Sequence, residues 1–320
     1  PNLFVVVSRW ISIMLATGPF GRIVKLCFAQ WFKSSSLLVP LTETILTALV
    51  SFNTDHSLHS LPPFPTRTVL GVKFFSGSLK ESLDHALLGG LVLAPSGPGL
   101  ATDLPRDPAY RDALFSADLV LPDSGLMALW WNCFHSNDKK KLPRLSGLLF
   151  LKELIKREGK GVLRNSFWIM PDASQDADNR GWLAEEAGLV IETKDAYIAP
   201  VYAGVGLLAD ESLLKLLVER RPKVIMVNLG GGVQERLGHY LRDNLDYCPI
   251  IICTGAALAF LSGQQVRIPH WADRVYLGWL LRCIANPVRF IPRYWAARKL
   301  VGLLKRYGAD SPLPLETEQT

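Results

Sequence analysis

Between residues 68 and 255 the chain alternates short runs of Val, Ile and Leu with amphipathic stretches, and this alternation leaves few architectures open. The apolar runs are "TVLGVKFF", "LVLA", "DLVLPD", "SFWIM", "LVIE", "KVIMVNL" and "PIIICTG", each expected to form one strand. Helices are expected over "LKESLDHALL", "PAYRDALFSA", "SGLMALWWNCF", "LLFLKELIKREG", "NRGWLAEEAG", "ESLLKLLVERR" and "VQERLGHYLRDNL". Ser78 and Glu81 have the spacing of a capping box at the start of the first of these. Strands that are apolar on both faces and alternate with helices make an α/β fold with a mostly parallel sheet flanked by helices.

Such sheets bind ligands in the crevice at the carboxyl ends of their strands. Three strand ends carry notable loops, "LVLPDSG" at Asp123, "IMVNLGGG" at Gly230 and "IIICTGAA" at Gly255. Gly230, Gly231 and Gly232 form neither a dinucleotide fingerprint nor a phosphate loop with its Lys-Ser or Lys-Thr pair. Glycines let a ligand approach the backbone, and the helix that follows offers unpaired N–H groups to negative charge. Gln234 and Glu235 in its first turn fit two readings: capping of the helix, or a grip on sugar or ribose hydroxyls. Asp123 is likewise either an N-cap or a general base on a substrate hydroxyl. Arg144 in "KLPRLSG" is either a surface arginine or a phosphate partner, for which its planar fork is suited.

The formal charge of +6 suggests an anionic partner: a nucleic acid, a membrane surface or a phosphorylated substrate. No recognition motif supports nucleic acid. The five cysteines include no Cys-x-x-Cys pair and do not cluster with histidines, so neither a disulfide framework nor a zinc site is expected. Cys248 and Cys253 read as buried strand-end residues.

The ends of the chain differ from its middle. The sequence begins at Pro1 rather than Met and reads as a fragment. Residues 1–65 form an apolar and basic segment, interrupted by Arg9, Arg22 and Lys25, with "SLPPFPT" as a linker. Charges that frequent argue against a spanning helix and leave an interfacial helix, a degraded signal segment or sequence foreign to the fold. The α/β core is assigned to 66–263. Residues 264–308 form a basic, aromatic, helical appendage, with nine Arg or Lys and one acid from Arg267 to Arg306. It suits an anionic lipid surface, phosphate groups or nucleic acid, or else a solvated helical face packed by its aromatics. Residues 309–320 are expected to be a disordered tail.

Taken in order, "ADLVLPDSGLMALWW", "KLPRLSG", "VIMVNLGGGVQERL" and "CTGAALAFLSGQQVRIPHWADRVYLGWLLRCIANPVRFIPRYW" resemble the WecG/TagA/CpsF family of bacterial glycosyltransferases. The resemblance covers roughly residues 68–307. It implies a Rossmann-like α/β core and an inverting, metal-independent transfer of an N-acetylmannosamine-type or related sugar. The donor would be a UDP-sugar and the acceptor an undecaprenyl-diphosphate-linked sugar, with no cofactor. It also implies a peripheral location on the inner face of the bacterial plasma membrane. By this resemblance Asp123 matches the proposed base, and Arg144, Gln234 and Glu235 match substrate-binding positions. Gly230, Gly231, Gly232 and Gly255 are expected to line the donor side. Arg282, Arg289 and Arg293 approximate the appendage arginines that meet the diphosphate.

The pattern is broken at four places. The family's Thr-x-Asn falls near Ala94, Pro95 and Ser96, and its Gly-Gly after "FWIM" is Pro171-Asp172. Its Asp in Gly-Ala-Phe-Asp-Phe is Ala259, and the Glu before the appendage tryptophan is Gly278. These departures mark a divergent member and leave a second reading: a non-catalytic relative that binds the membrane surface and scaffolds polysaccharide assembly. Homo-oligomerisation is left open.

Overall fold

The computed structural model describes residues 64–135, 141–159, 161–263, 288, 295 and 298–312. The chain divides into two compact units, Pro1–Pro63 and Phe64–Thr320. The readings of the N-terminal segment, of most of the appendage and of residues 313–320 lie outside the described residues.

The second unit is built on an eight-stranded sheet in the order β1-β2-β4-β3-β8-β7-β5-β6. Its strands are β1 (Thr66–Val69), β2 (Val72–Phe75), β3 (Gly90–Leu93), β4 (Leu119–Val120), β5 (Ser166–Met170), β6 (Ala196–Ile198), β7 (Val224–Val227) and β8 (Ile250–Cys253). The helices are α1 (Leu79–Ala86), α2 (Gly97–Thr102), α3 (Pro108–Ser116), α4 (Gly125–Phe134), α5 (Gly147–Glu158), α6 (Ala173–Ala187), α7 (Glu211–Arg220), α8 (Val233–Asn244), α9 (Ala257–Leu261) and α10 (Lys299–Tyr307). Every strand pair is parallel except β1 with β2. The expected α/β class with a mostly parallel sheet is the one observed.

Alternate residues of the central strands face opposite layers. Val92, Met226 and Ile252 join a core with Leu83 of α1, Phe150 and Leu154 of α5, Leu183 of α6 and Leu258 of α9. On the other face α8 lies on β3 and β8, with α3 beside it. Gly238 makes that approach close: a Cβ there would stand 2.7 Å from Cys253 Sγ and 2.8 Å from Leu91 Cδ1. The capping box at α1 forms, with Ser78 N donating to Glu81 Oε2 at 2.7 Å and Glu81 N to Ser78 Oγ at 3.3 Å.

Several elements differ from the sequence reading. "TVLGVKFF" is a hairpin rather than one strand, because Leu70 and Gly71 turn at φ 52° and 78°. The turn is completed from far along the chain: Leu70 N donates to Gly308 O and Gly71 N to Ala309 O. Residues 309–312 therefore lie on the core and do not begin the tail. "LVIE" is not a strand; the edge strand β6 follows it, and Leu189 and Ile191 are buried side chains of a connection. Helix α6 starts earlier than expected because Asp172 caps it, accepting from Gln175 N at 2.8 Å. Those accepted hydrogen bonds hold the Asp172 carboxyl below its usual range. Cys248 is exposed, whereas Cys253 is buried as expected. Helix α10 packs Leu300, Val301 and Leu304 onto the side of the core that carries α2 and α4.

Candidate functional site

The carboxyl ends of β4, β7 and β8 carry the three loops singled out by sequence. Beyond β4, Ser124 rather than Asp123 caps α4, its Oγ accepting from Met127 N at 3.3 Å. Asp123 is thus released from that duty. Its Oδ1 instead accepts from Gly147 N at 3.0 Å, at the first residue of α5. A carboxylate there meets the positive end of a helix 12 residues long, a favourable electrostatic contact. Asp123 is half-buried.

The loop before α5 is tied down beside it, with Leu145 N donating to Pro122 O at 3.2 Å. Arg144 in that loop is half-buried and lies one residue away from this anchor. Gly147 packs against two further strand ends. A Cβ at Gly147 would stand 3.2 Å from Ala94 Cβ, beyond β3, and 3.3 Å from Thr254 Cβ, beyond β8.

The glycine turn is built differently from its neighbours. Gly230 and Gly231 are exposed, and Gly232 is buried with φ +90°, a conformation that side chains resist. Glu235 Oε2 accepts from Gly232 N at 2.7 Å, and Gln234 Nε2 donates to Glu235 Oε1 at 3.1 Å. Gln234 Oε1 accepts from Gly255 N at 2.5 Å, joining the β7 loop to the β8 loop. Both side chains are buried and engaged within the protein, so in this structure they brace the turn. Burial pushes the Glu235 carboxyl up to about 7, with the nearby Asp103 carboxylate adding to the effect. Burial, and after it Glu235, also push the Cys253 thiol well above its ordinary range.

Arg236 supplies a second brace. Its buried guanidinium donates to Gly232 O at 2.9 Å, Gly206 O at 2.7 Å and Ala203 O at 2.7 Å. Asp107 stands 3.6 Å away as its counter-charge and also accepts from Gly206 N at 3.2 Å.

The expected site residues therefore fall into three groups. Contacts run from Asp123 through Gly147 and Thr254 to Gly255, and from there through Gln234 and Glu235 to Gly232. These bring the Asp123 loop and the glycine turn to one edge of the sheet. Arg144 borders the Asp123 end. Arg282, Arg289 and Arg293 lie outside the described residues.

Sequence reasoning missed Asp103, whose Oδ2 lies 3.3 Å from where a Gly232 Cβ would stand. It also missed Asn228 and Thr254, the first residues past β7 and β8. These are neighbours by register, since Val227 pairs with Cys253. Asn228 Oδ1 and Thr254 Oγ1 are buried and have no hydrogen-bond partner among the described residues. A polar residue ending an all-apolar strand is a signal that the sequence does carry. Among the described residues no group of three or more His, Cys, Asp or Glu stands together to hold a metal ion, and no helix is long and apolar enough to cross a membrane.

Three of the four departures from the family pattern have local structural accounts, and the fourth, Gly278, lies outside the described residues. Ser96 caps α2, accepting from Gly99 N at 3.3 Å, Asp172 caps α6, and Ala259 is buried in α9. Comparison with known proteins gives two findings. The chain is 26% identical over 243 residues to the N-acetylglucosaminyldiphosphoundecaprenol N-acetyl-beta-D-mannosaminyltransferase of Bacillus subtilis (strain 168), covering 72% of this chain and 89% of that protein. Residues 67–310, most of the chain and the whole of the sheet from β2 onward, match the glycosyl transferase WecG/TagA/CpsF family. The chain belongs to that family.

Proposed function

We propose that this chain is an inverting glycosyltransferase that moves an N-acetylmannosamine-type or related hexosamine from a UDP-sugar to a polyprenyl-diphosphate-linked sugar. The observation that carries this reading is the placement of Asp123. Its carboxylate is half-buried at the carboxyl edge of the sheet, where Oδ1 accepts from Gly147 N while Ser124 caps α4.

In the proposed step Asp123 takes the proton of the acceptor hydroxyl as that oxygen bonds to the anomeric carbon. The bond from that carbon to the UDP diphosphate breaks, and its electron pair leaves with the diphosphate on the opposite face. The charge that develops there needs fixed positive partners. Arg144 and the appendage arginines Arg282, Arg289 and Arg293 are assigned that part, so the step is written without a metal. The exposed Gly230 and Gly231 lie on the donor side, and the braced Gln234 and Glu235 hold their backbone in place. A peripheral site of action on the membrane follows from the lipid nature of the acceptor.

The test is UDP release from UDP-N-acetylmannosamine in the presence of a polyprenyl-diphosphate-linked N-acetylglucosamine. Release that depends on the acceptor is expected. If the protein binds UDP-sugars but yields no acceptor-dependent UDP with any hexosamine donor, the non-catalytic reading replaces this one.

A further inference from the structure

Strands β7 and β8 are buried and apolar along their length, and each is followed at once by a polar residue, Asn228 and Thr254. Val227 pairs with Cys253, so the next residues stand side by side on strands about 4.8 Å apart. Both side chains turn to the layer of α5, α6 and α9. Asn228 Nδ2 lies 3.8 Å from Met170 Sδ of that layer, and a Cβ on Gly147 of α5 would stand 3.3 Å from Thr254 Cβ.

Asn228 is 6% exposed and Thr254 8%, yet Asn228 Oδ1 and Thr254 Oγ1 have no hydrogen-bond partner among the described residues. Leaving a buried polar atom unpaired is costly, and valine or leucine at these positions would avoid that cost. Nearby polar side chains of the same layer are answered: Ser262 Oγ donates to Asn179 Oδ1 at 2.7 Å. The two orphaned atoms lie at the carboxyl edge of the sheet, where such folds take their ligands. Thr254 adjoins Gly147, whose amide donates to Asp123, and precedes Gly255, whose amide donates to Gln234. Leu229 alone separates Asn228 from the exposed Gly230. The pair therefore lies between the Asp123 loop and the glycine turn.

Its hydrogen-bonding chemistry is selective. Asn228 Nδ2 donates to Ile169 O and Met226 O, both at 3.3 Å, which commits the amide nitrogen to the sheet and leaves Oδ1 as a fixed acceptor. A diphosphate oxygen would meet that acceptor with another acceptor. The Thr254 hydroxyl both donates and accepts. A fixed acceptor beside a hydroxyl complements a neutral group that carries N–H and C=O together. We propose that Asn228 and Thr254 read an amide edge of the bound nucleotide sugar, Asn228 Oδ1 accepting from its N–H and Thr254 Oγ1 donating to its C=O. The inference rests on the proposed function, whose donor carries such an edge twice, in the acetamido group of the hexosamine and in the imide of uracil. Buried polar groups of this kind discriminate strongly, because an analogue without the N–H leaves them unpaired.

The experiment measures ligand binding by calorimetry with the full chain and its Thr254→Val, Thr254→Ser and Asn228→Leu variants. UDP-N-acetylmannosamine against UDP-mannose tests the acetamido group. UDP against CDP, whose base lacks the imide N–H, tests uracil. In the wild type at least one of these pairs should differ in Kd by about tenfold or more. Thr254→Val and Asn228→Leu should shrink that ratio about tenfold, and Thr254→Ser, which keeps the hydroxyl, should preserve it. The ratio that changes names the edge that is read. Urea unfolding runs in parallel, and Thr254→Val carries the test if Asn228→Leu does not fold. Ratios within about twofold of wild type in Thr254→Val overturn the pair and leave the transferase reading standing. So does a loss in Thr254→Ser equal to that in Thr254→Val, which assigns the effect to packing. Failure of the wild type to bind UDP or either UDP-sugar overturns the proposed function, and this inference with it.

Discussion

Asp123→Asn separates chemistry from architecture, because the structure sets how much each should lose. The side-chain oxygen that accepts from Gly147 N remains available in asparagine, so the hydrogen bond survives. What is lost is its charge assistance, about 1 kcal/mol, and the favourable meeting of a negative charge with the start of α5, about 0.3–1 kcal/mol. The expected destabilisation is therefore about 1–2 kcal/mol, or a fall in Tm of roughly 2–8 °C for a domain of this size. Loss of a general base costs about 10²–10⁴ in rate, equivalent to roughly 3–5 kcal/mol of barrier. Acceptor-dependent UDP release should lose kcat by at least about a hundredfold with KM nearly unchanged, while urea unfolding shows only the smaller loss. Asp123→Ala should unfold more readily than Asp123→Asn yet turn over no more slowly. The reasoning is refuted if kcat in Asp123→Asn stays within about threefold of the wild type. It is also refuted if the unfolding loss is large enough to account for the lost activity.

Three further outcomes follow from the braces around the site. The folded-state pKa of Glu235, about 7, lies above its ordinary 4.5, so folding takes up a proton between these values. Its contribution is fully present below about pH 4.5 and is lost as pH rises through 7, on the order of 3 kcal/mol at most. Unfolding titrations should show a downward slope across that window that Glu235→Gln flattens; an unchanged slope in the variant would assign it elsewhere. Thr254→Val replaces a buried hydroxyl without a described partner by a group of the same shape, and should raise unfolding stability by about 1 kcal/mol. A loss of stability would mean that the hydroxyl is satisfied. Arg236→Met removes three donors and leaves Asp107 buried without its counter-charge, so a loss of about 3–5 kcal/mol is expected in denaturant unfolding. A change below about 1 kcal/mol would show that the brace is dispensable.

The parts of the fold that sequence made legible are those where a local pattern is also a tertiary requirement. "SFWIM" and "KVIMVNL" carry runs that are apolar on both faces because β5 and β7 are buried along their whole length. The Leu70-Gly71 turn was hidden because the only warning was one glycine within an apolar run, and its pairing partners lie at Gly308 and Ala309. "LVIE" misled because Leu189 and Ile191 are buried without joining the sheet, a packing outcome that composition cannot distinguish from a strand. At the site, the residue types were readable and their commitments were not. Gln234 and Glu235 carry the chemistry of a ligand grip, yet their atoms are engaged by Gly255, by Gly232 and by each other. Asp123 and Ser124 were equally readable as the cap of α4, and only the contact of Ser124 with Met127 shows which residue caps it.

The hairpin turn at Leu70 and Gly71 has a consequence for how the molecule is made. Its two amides are answered by carbonyls more than two hundred residues downstream, beyond the end of α10. A ribosome adding roughly 5–20 residues per second delivers those carbonyls many seconds after the hairpin has emerged. The first strands of the core must wait for Gly308 and Ala309. Pairings this distant fold slowly, and a truncation before Gly308 would leave the amino-terminal edge of the sheet unfinished.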